Sequence, residues 1–249
     1  MNRLSRSNVS IIIPAHSESR TLFRIIREAK QVQPGSEIIV VCEAAKDHTA
    51  RIAKKAGASK VVRSNTLLRL NEGRSLGAKH ASGDILLFMD ADVMIPSELL
   101  RQYVRKAEEG WDLVLNPYSG ISPKHPANIA KHLLNHMLGR PDLSGSSLIT
   151  VPHALSRHAL KVIGRIHLSV PPLAQAVAVA NRLPVTTSGF FRPVKMNKRK
   201  PVSAENVKEI ILGDHAEAVS YLVSQRGLRA GMTDFGRCRE AITLPVQLL

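Results

Sequence analysis

The chain has 249 residues, 44% of them apolar, two cysteines and a formal net charge of +15. That length and apolar share suffice for one sizeable core with a small appended lobe, and Cys42 and Cys238 lack metal-site spacing and read as reduced thiols, which excludes a disulfide scaffold. No run of about 18 apolar residues occurs, and none follows Arg3 and Arg6, so no membrane span or signal segment is expected and the protein is placed in the cytoplasm or at the inner face of the membrane.

In chain order, short apolar runs alternate with amphipathic stretches. Val9 to Ile13, Ile38 to Cys42, Lys60 to Arg63, Ile85 to Met89 and Leu113 to Leu115 read as strands. Thr21 to Lys30, Asp47 to Ala56, Arg74 to His80 and Ser97 to Glu109 read as helices, with Ser17 or Ser19 as the first cap and Gly57 closing the second. Alternation of this kind predicts an α/β fold with a mostly parallel sheet and helices on both faces. Pro117, Gly120, Pro123 and Pro126 crowd a turn-rich seam, which divides one domain over 1–249 into halves 1–120 and 121–249. In the second half, Ser147 to Val151 reads as an apolar strand, and Ala204 to Gln225 as a helix with His215 facing inward.

The most informative stretch is NEGRSLGAKHASGDILLFMDADVMIP, Asn71 to Pro96. Asp90 and Asp92 end an apolar strand and should emerge at its carboxyl end, where open α/β sheets hold ligands. A hard cation such as Mg²⁺ or Mn²⁺ takes one or two carboxylates from a protein and fills its remaining positions with phosphate oxygens and water. Gly73 permits close backbone approach at a helix start, and the Arg74 fork suits a diphosphate. Asp-x-Asp is also a common strand-to-turn sequence, and Arg74 could be a solvated helix arginine.

Three separated pieces resemble the metal-dependent, inverting nucleotide-sugar glycosyltransferases of the family 2 type, which have the GT-A (Rossmann-like) fold. They are VSIIIPAHSES from Val9, EIIVVCEAAKDHT from Glu37 and the Asn71 to Pro96 stretch, in matching order over roughly the first 120 residues. The resemblance implies hexosyl transfer, with inversion, from a nucleoside-diphosphate sugar to a cell-envelope glycan, lipid or polyprenyl phosphate. It places Pro14, Ala15 and Glu18 beside the nucleoside and Glu43 at the base, although Cys42-Glu43-Ala44-Ala45 replaces the family's Asp-Asp-Gly-Ser. Gly73, Arg74 and Asp90 would complete the donor site, with Asp90 on ribose or metal, Asp92 on the metal and His215 as a further metal ligand.

The acceptor half departs from the pattern. His167 to Pro184 carries no acid where the family has an acid pair for the general base. Asp142, in the loop from Gly139 to Gly145, is the first substitute candidate, with His153 and His167 behind it. An acceptor that is already an anion needs no strong base, and the segments from Gly139 and from Phe190 loosely resemble polyprenyl-phosphate sugar synthases.

The basic surplus points to a polyanionic partner, and Lys195, Lys198, Arg199 and Lys200 form a cluster suited to an anionic membrane surface. Nucleic acid is the lesser reading, since no recognition motif accompanies the cluster and aromatic residues make up 4% of the chain. The alternatives in function are a sugar-phosphate nucleotidyltransferase, disfavoured by the glycine-poor turn after the first strand, and a non-catalytic basic binding protein on a transferase scaffold.

Overall fold

The computed structural model describes residues 7–16, 18–42, 48–65, 68, 70–120, 122–196 and 204–237. Strands β1 (Val9–Ala15), β2 (Glu37–Cys42), β3 (Lys60–Arg63) and β4 (Ile85–Phe88) alternate with helices α1 (Leu22–Lys30), α2 (Thr49–Ala56) and α3 (Glu72–His80). After α4 (Ser97–Glu108) and β5 (Leu113–Leu115) come α5 (Pro126–Met137), β6 (His153–Ser156), α6 (Arg157–Ile163), α7 (Pro171–Ala180), β7 (Val185–Thr187) and α8 (Ala204–Arg226).

The seven strands form one sheet in the order β3-β2-β1-β4-β6-β5-β7. Neighbours are parallel except β6, which runs antiparallel between β4 and β5. The sheet is therefore mostly parallel, as the alternation of elements predicts, and strands from both sides of the turn-rich seam belong to it. Ser147 to Val151 is not a strand: it forms irregular turns, and the chain enters β6 only at His153. Its apolar side chains suit burial, but its carbonyls point to a side chain described below.

Successive residues of β1 serve opposite faces, as the two-residue strand period requires. Ile11 and Ile13 join α1, α2 and α4 in one core cluster, whereas Ile12 joins Ala78 of α3, Phe88 and residues of α6 and α7 in the other. Burial on both faces explains why these strands are continuously apolar rather than alternating. Leu134 of α5 and Leu138 just after it, Ala176 and Val177 of α7, and Ala218 and Leu222 of α8 form a third, helical cluster.

Helix α3 lies close to the sheet because two positions lack a side chain. A Cβ on Gly77 would come within 2.4 Å of Ile12 Cγ2 and 3.2 Å of Val41 Cγ2, and one on Gly73 would lie 3.0 Å from Pro14 Cβ. That approach brings the start of α3 against the carboxyl end of β1. Helix α1 is not capped by a serine; its N-cap is Thr21, whose hydroxyl donates instead to the Ala91 carbonyl at 2.7 Å. Gly57 closes α2 with a left-handed φ of 83°.

Candidate active site

The sheet delivers Asp90 and Asp92 just beyond β4. Asp90 lies two residues past the end of β4, and its carboxylate meets Arg74 from the first turn of α3. The Arg74 Nη2 lies 3.4 Å from Asp90 Oδ1, with the arginine side chain 7% exposed and the aspartate side chain 34% exposed. Arg74 Nη1 donates to the Leu148 carbonyl at 3.0 Å, and Nη2 reaches the Ile149 carbonyl at 3.4 Å. The turn mistaken for a strand thus fixes the guanidinium.

His153 forms the floor on this side. It stacks on Phe88 with ring centroids 4.8 Å apart, and its Nδ1 is 3.1 Å from the Thr150 carbonyl. Full burial drives its pKa well below the usual histidine range, and the Arg74 charge adds to that effect. A neutral, buried imidazole cannot serve as an exposed general base. His167 is also engaged, with Nδ1 on the Ile163 carbonyl.

Asp92 is more enclosed than Asp90: its side chain is 14% exposed. Burial raises its carboxyl pKa, Lys195 opposes the rise and the neighbouring Asp90 charge adds to it. Lys195 Nζ lies 3.5 Å from Asp92 Oδ2. Sequence reasoning placed this lysine in a membrane-facing cluster; the structure brings it to the acidic turn, while Lys198, Arg199 and Lys200 lie outside the described residues.

The segment carrying Lys195 is held by residues that sequence analysis missed. Fully buried Asn116 donates to the Val151 and Phe191 carbonyls, both at 2.8 Å, and its Oδ1 accepts from Tyr118 and Phe191 N–H groups. The Tyr103 hydroxyl donates to Gly189 O at 2.7 Å. Nothing in a single sequence marks such an asparagine, because its partners are 35 and 75 residues away.

The remaining expected site residues divide clearly. Pro14 and Ala15 end β1, and Pro14 lies beside Gly73 of α3. The Glu18 carboxylate accepts from the His16 N–H in the loop after β1. Glu43 lies outside the described residues.

Asp142 is not brought to the site. It forms a two-point ion pair with Arg140, at 2.8 and 2.7 Å, and Arg140 is tied to the Val185 carbonyl of β7. Val185 is level with Leu113, Leu155 and thus the start of β4, three strands away; at about 4.8 Å per strand this puts Asp142 on the order of 15–20 Å from Asp90. The Arg140 hydrogen bonds also lower its carboxyl pKa, the wrong direction for a base near neutral pH.

His215 is buried, as its helical spacing predicts, but it does not join the acidic pair. Its Nδ1 is 2.6 Å from the Ile211 carbonyl, and Nε2 is buried with no hydrogen-bond partner among the described residues. Burial lowers its pKa, the Ile211 carbonyl opposes this and the Lys131 charge reinforces it. Among the described residues no group of three or more His, Cys, Asp or Glu can hold a metal.

The donor set still fits a metal that arrives with phosphate: two carboxylates on one turn, one partly exposed, supply the one or two oxygen ligands that Mg²⁺ or Mn²⁺ takes from protein. Arg74 and Lys195 flank them with positive charge where a diphosphate would need it.

The chain is 32% identical over 132 residues to a 4,4'-diaponeurosporenoate glycosyltransferase of Staphylococcus haemolyticus (strain JCSC1435), covering 46% of this chain and 35% of that one. It is 31% identical over 147 residues to an undecaprenyl-phosphate 4-deoxy-4-formamido-L-arabinose transferase of Salmonella choleraesuis (strain SC-B67), covering 53% and 44%. The chain thus spans less than half the length of these curated relatives. The fold is similar to glucosyl-3-phosphoglycerate synthase from Mycobacterium tuberculosis in complex with Mn²⁺, UDP and glucosyl-3-phosphoglycerate: TM-score 0.65, 20% identity, 92% of this chain and 82% of that one. At that identity the likeness carries the GT-A type of fold and no more. A model of glycosyl transferase family 2 matches residues 10–159, more than half of the 249, and the chain belongs to that family.

Proposed function

We propose that this chain transfers a sugar from a nucleoside-diphosphate donor to a cell-envelope acceptor, a glycan, lipid or polyprenyl phosphate. The observation that carries the reading is the Asp90-Ala91-Asp92 turn at the carboxyl end of β4, with Arg74 locked beside it by the Leu148 and Ile149 carbonyls. Pro14, Ala15 and Gly73 would form the wall against which the nucleoside lies. Asp90 and Asp92 would hold a divalent cation, which neutralises charge on the departing diphosphate. Arg74, already placed, supports the same charge without reorganising. Mn²⁺ is the favoured metal, since structures of the same fold contain it.

The missing acid pair favours a phosphate acceptor. The acid-free stretch 167–184 folds into the end of a 3-10 turn and the largely buried helix α7. An acceptor phosphate is nucleophilic as an anion, so no carboxylate need take a proton from it. The curated relative that acts on undecaprenyl phosphate supports this class. No helix among the described residues is long and apolar enough to cross a membrane, and exposed Phe190 and Val194 beside Arg192 would suit peripheral contact with an anionic membrane.

The test is turnover of a panel of nucleoside-diphosphate sugars with undecaprenyl phosphate in detergent, following released diphosphate. Metal-dependent release that requires the lipid phosphate supports the reading. Release that is equal without any acceptor, or absent with every donor, rejects it.

A further inference from the structure

The segment from 188 to 196 crosses the acidic turn as a strap fixed at both ends. Ser188 N–H donates to Leu115 O at 3.0 Å at its start, and Asn116 and Tyr103 fix its middle. At its far end Val93 and Lys195 form an antiparallel bridge, and Met196 N–H donates to Asp92 O at 2.7 Å. The Lys195-Met196 backbone is therefore stapled to Asp92-Val93, beside the carboxylate that the Lys195 ammonium contacts. The side chain itself is 66% exposed and reaches the more enclosed carboxylate of the pair.

Exposed ion pairs of this kind contribute little to stability, so the fold does not need the contact. A divalent cation at Asp92 would meet the ammonium as a like charge, and both could not keep the same carboxylate at close range. The diphosphate that comes with the cation is the nearest new anion. We propose that Lys195 is a donor-site residue: its ammonium holds Asp92 while the site is empty and passes to the diphosphate of the arriving nucleotide. The inference rests on the nucleotide-donor reading above. It gives the lysine opposite effects on two ligands, since it competes with the metal for Asp92 and cooperates with the metal on the diphosphate.

Calorimetry on the full chain and on Lys195→Ala and Lys195→Arg tests it, using Mn²⁺ alone, the nucleoside diphosphate that the wild type binds best from UDP, GDP, TDP, CDP and ADP, and the matching nucleoside. In Lys195→Ala the diphosphate should bind roughly tenfold to a hundredfold more weakly, the loss of one charge-assisted contact. The nucleoside should bind as before and Mn²⁺ alone more tightly, with Lys195→Arg restoring most of the diphosphate affinity. Unchanged diphosphate affinity in Lys195→Ala overturns the proposal, as does an equal loss for diphosphate and nucleoside with a lowered denaturation midpoint, which would mark a structural role. If the wild type binds no diphosphate at all, the donor reading itself falls and this inference falls with it.

Discussion

Arg74 reaches Asp90 from the first turn of α3 while spending its other donors on the Leu148 and Ile149 carbonyls, so one buried guanidinium joins the acidic turn to a loop 74 residues further along the chain. Replacing it with alanine strips donors from buried carbonyls, a cost of about 1–3 kcal/mol. Arg74→Lys keeps a charge but loses the planar fork. Urea denaturation should show Arg74→Ala lowered by that amount and Arg74→Lys in between, and both should bind nucleoside diphosphate more weakly than the wild type.

Gly77 is a steric requirement rather than a flexible point. Alanine there gains about 1 kcal/mol of helix propensity but places its Cβ 2.4 Å from Ile12 Cγ2. Overpacking of this kind costs about 1–3 kcal/mol. Thermal melts should therefore find Gly77→Ala less stable than Gly73→Ala, whose 3.0 Å approach to Pro14 can be relieved by a smaller shift.

Asp214 makes the fold less stable as pH rises from about 4 through 6. Burial, with Glu217 adding like charge, pushes its pKa up to about 6 from 3.8. Between those values the folded chain holds a proton that the unfolded chain has released, so this group's stabilising contribution, complete below about pH 4, is lost as pH rises through 6. Its Oδ2 is buried without a hydrogen-bond partner among the described residues, in keeping with that penalty. Asp214→Asn should gain about 1–2 kcal/mol over the wild type at pH 8 and nothing at pH 4, read from denaturant midpoints at both values.

Asp142→Asn should leave transfer activity within about twofold, because the Asp142 carboxylate is held by Arg140 at the β7 edge. A loss of a hundredfold or more in kcat, the size expected for a general base, would return it to the catalytic site.

What the sequence disclosed follows from the range of the forces involved. Asp90 and Asp92 stood out because an apolar run ends abruptly in two charges, and the central parallel strands β1, β2 and β4 because they are apolar along most of their length. His215 was placed inside by helical spacing alone, yet spacing says nothing of its partners: the ring bonds to the Ile211 carbonyl of its own helix, and among the described residues no group of three or more His, Cys, Asp or Glu able to hold a metal includes it. The apolar run from Ser147 to Val151 resembled a strand, although its carbonyls serve Arg74 rather than a neighbouring strand. Strands β6 (HALS) and β7 (VTT) mix polar with apolar residues and so lack the apolar run that marks the similarly short β5 (LVL). Lys195 was hidden for a related reason, since Asn116, Tyr103 and the Asp92 backbone, all distant in sequence, determine where its strap runs.

The central claim is that Asp90 and Asp92 form a metal-assisted site for a nucleoside diphosphate, and calorimetric titration of UDP, GDP, TDP, CDP and ADP, with Mn²⁺ and then with chelator, tests it most directly. The account predicts base-selective binding that weakens at least tenfold on chelation, and a folded Asp92→Ala variant that no longer responds to metal. Binding to none of the five, or binding that Asp92→Ala leaves metal-dependent and unchanged, would contradict it.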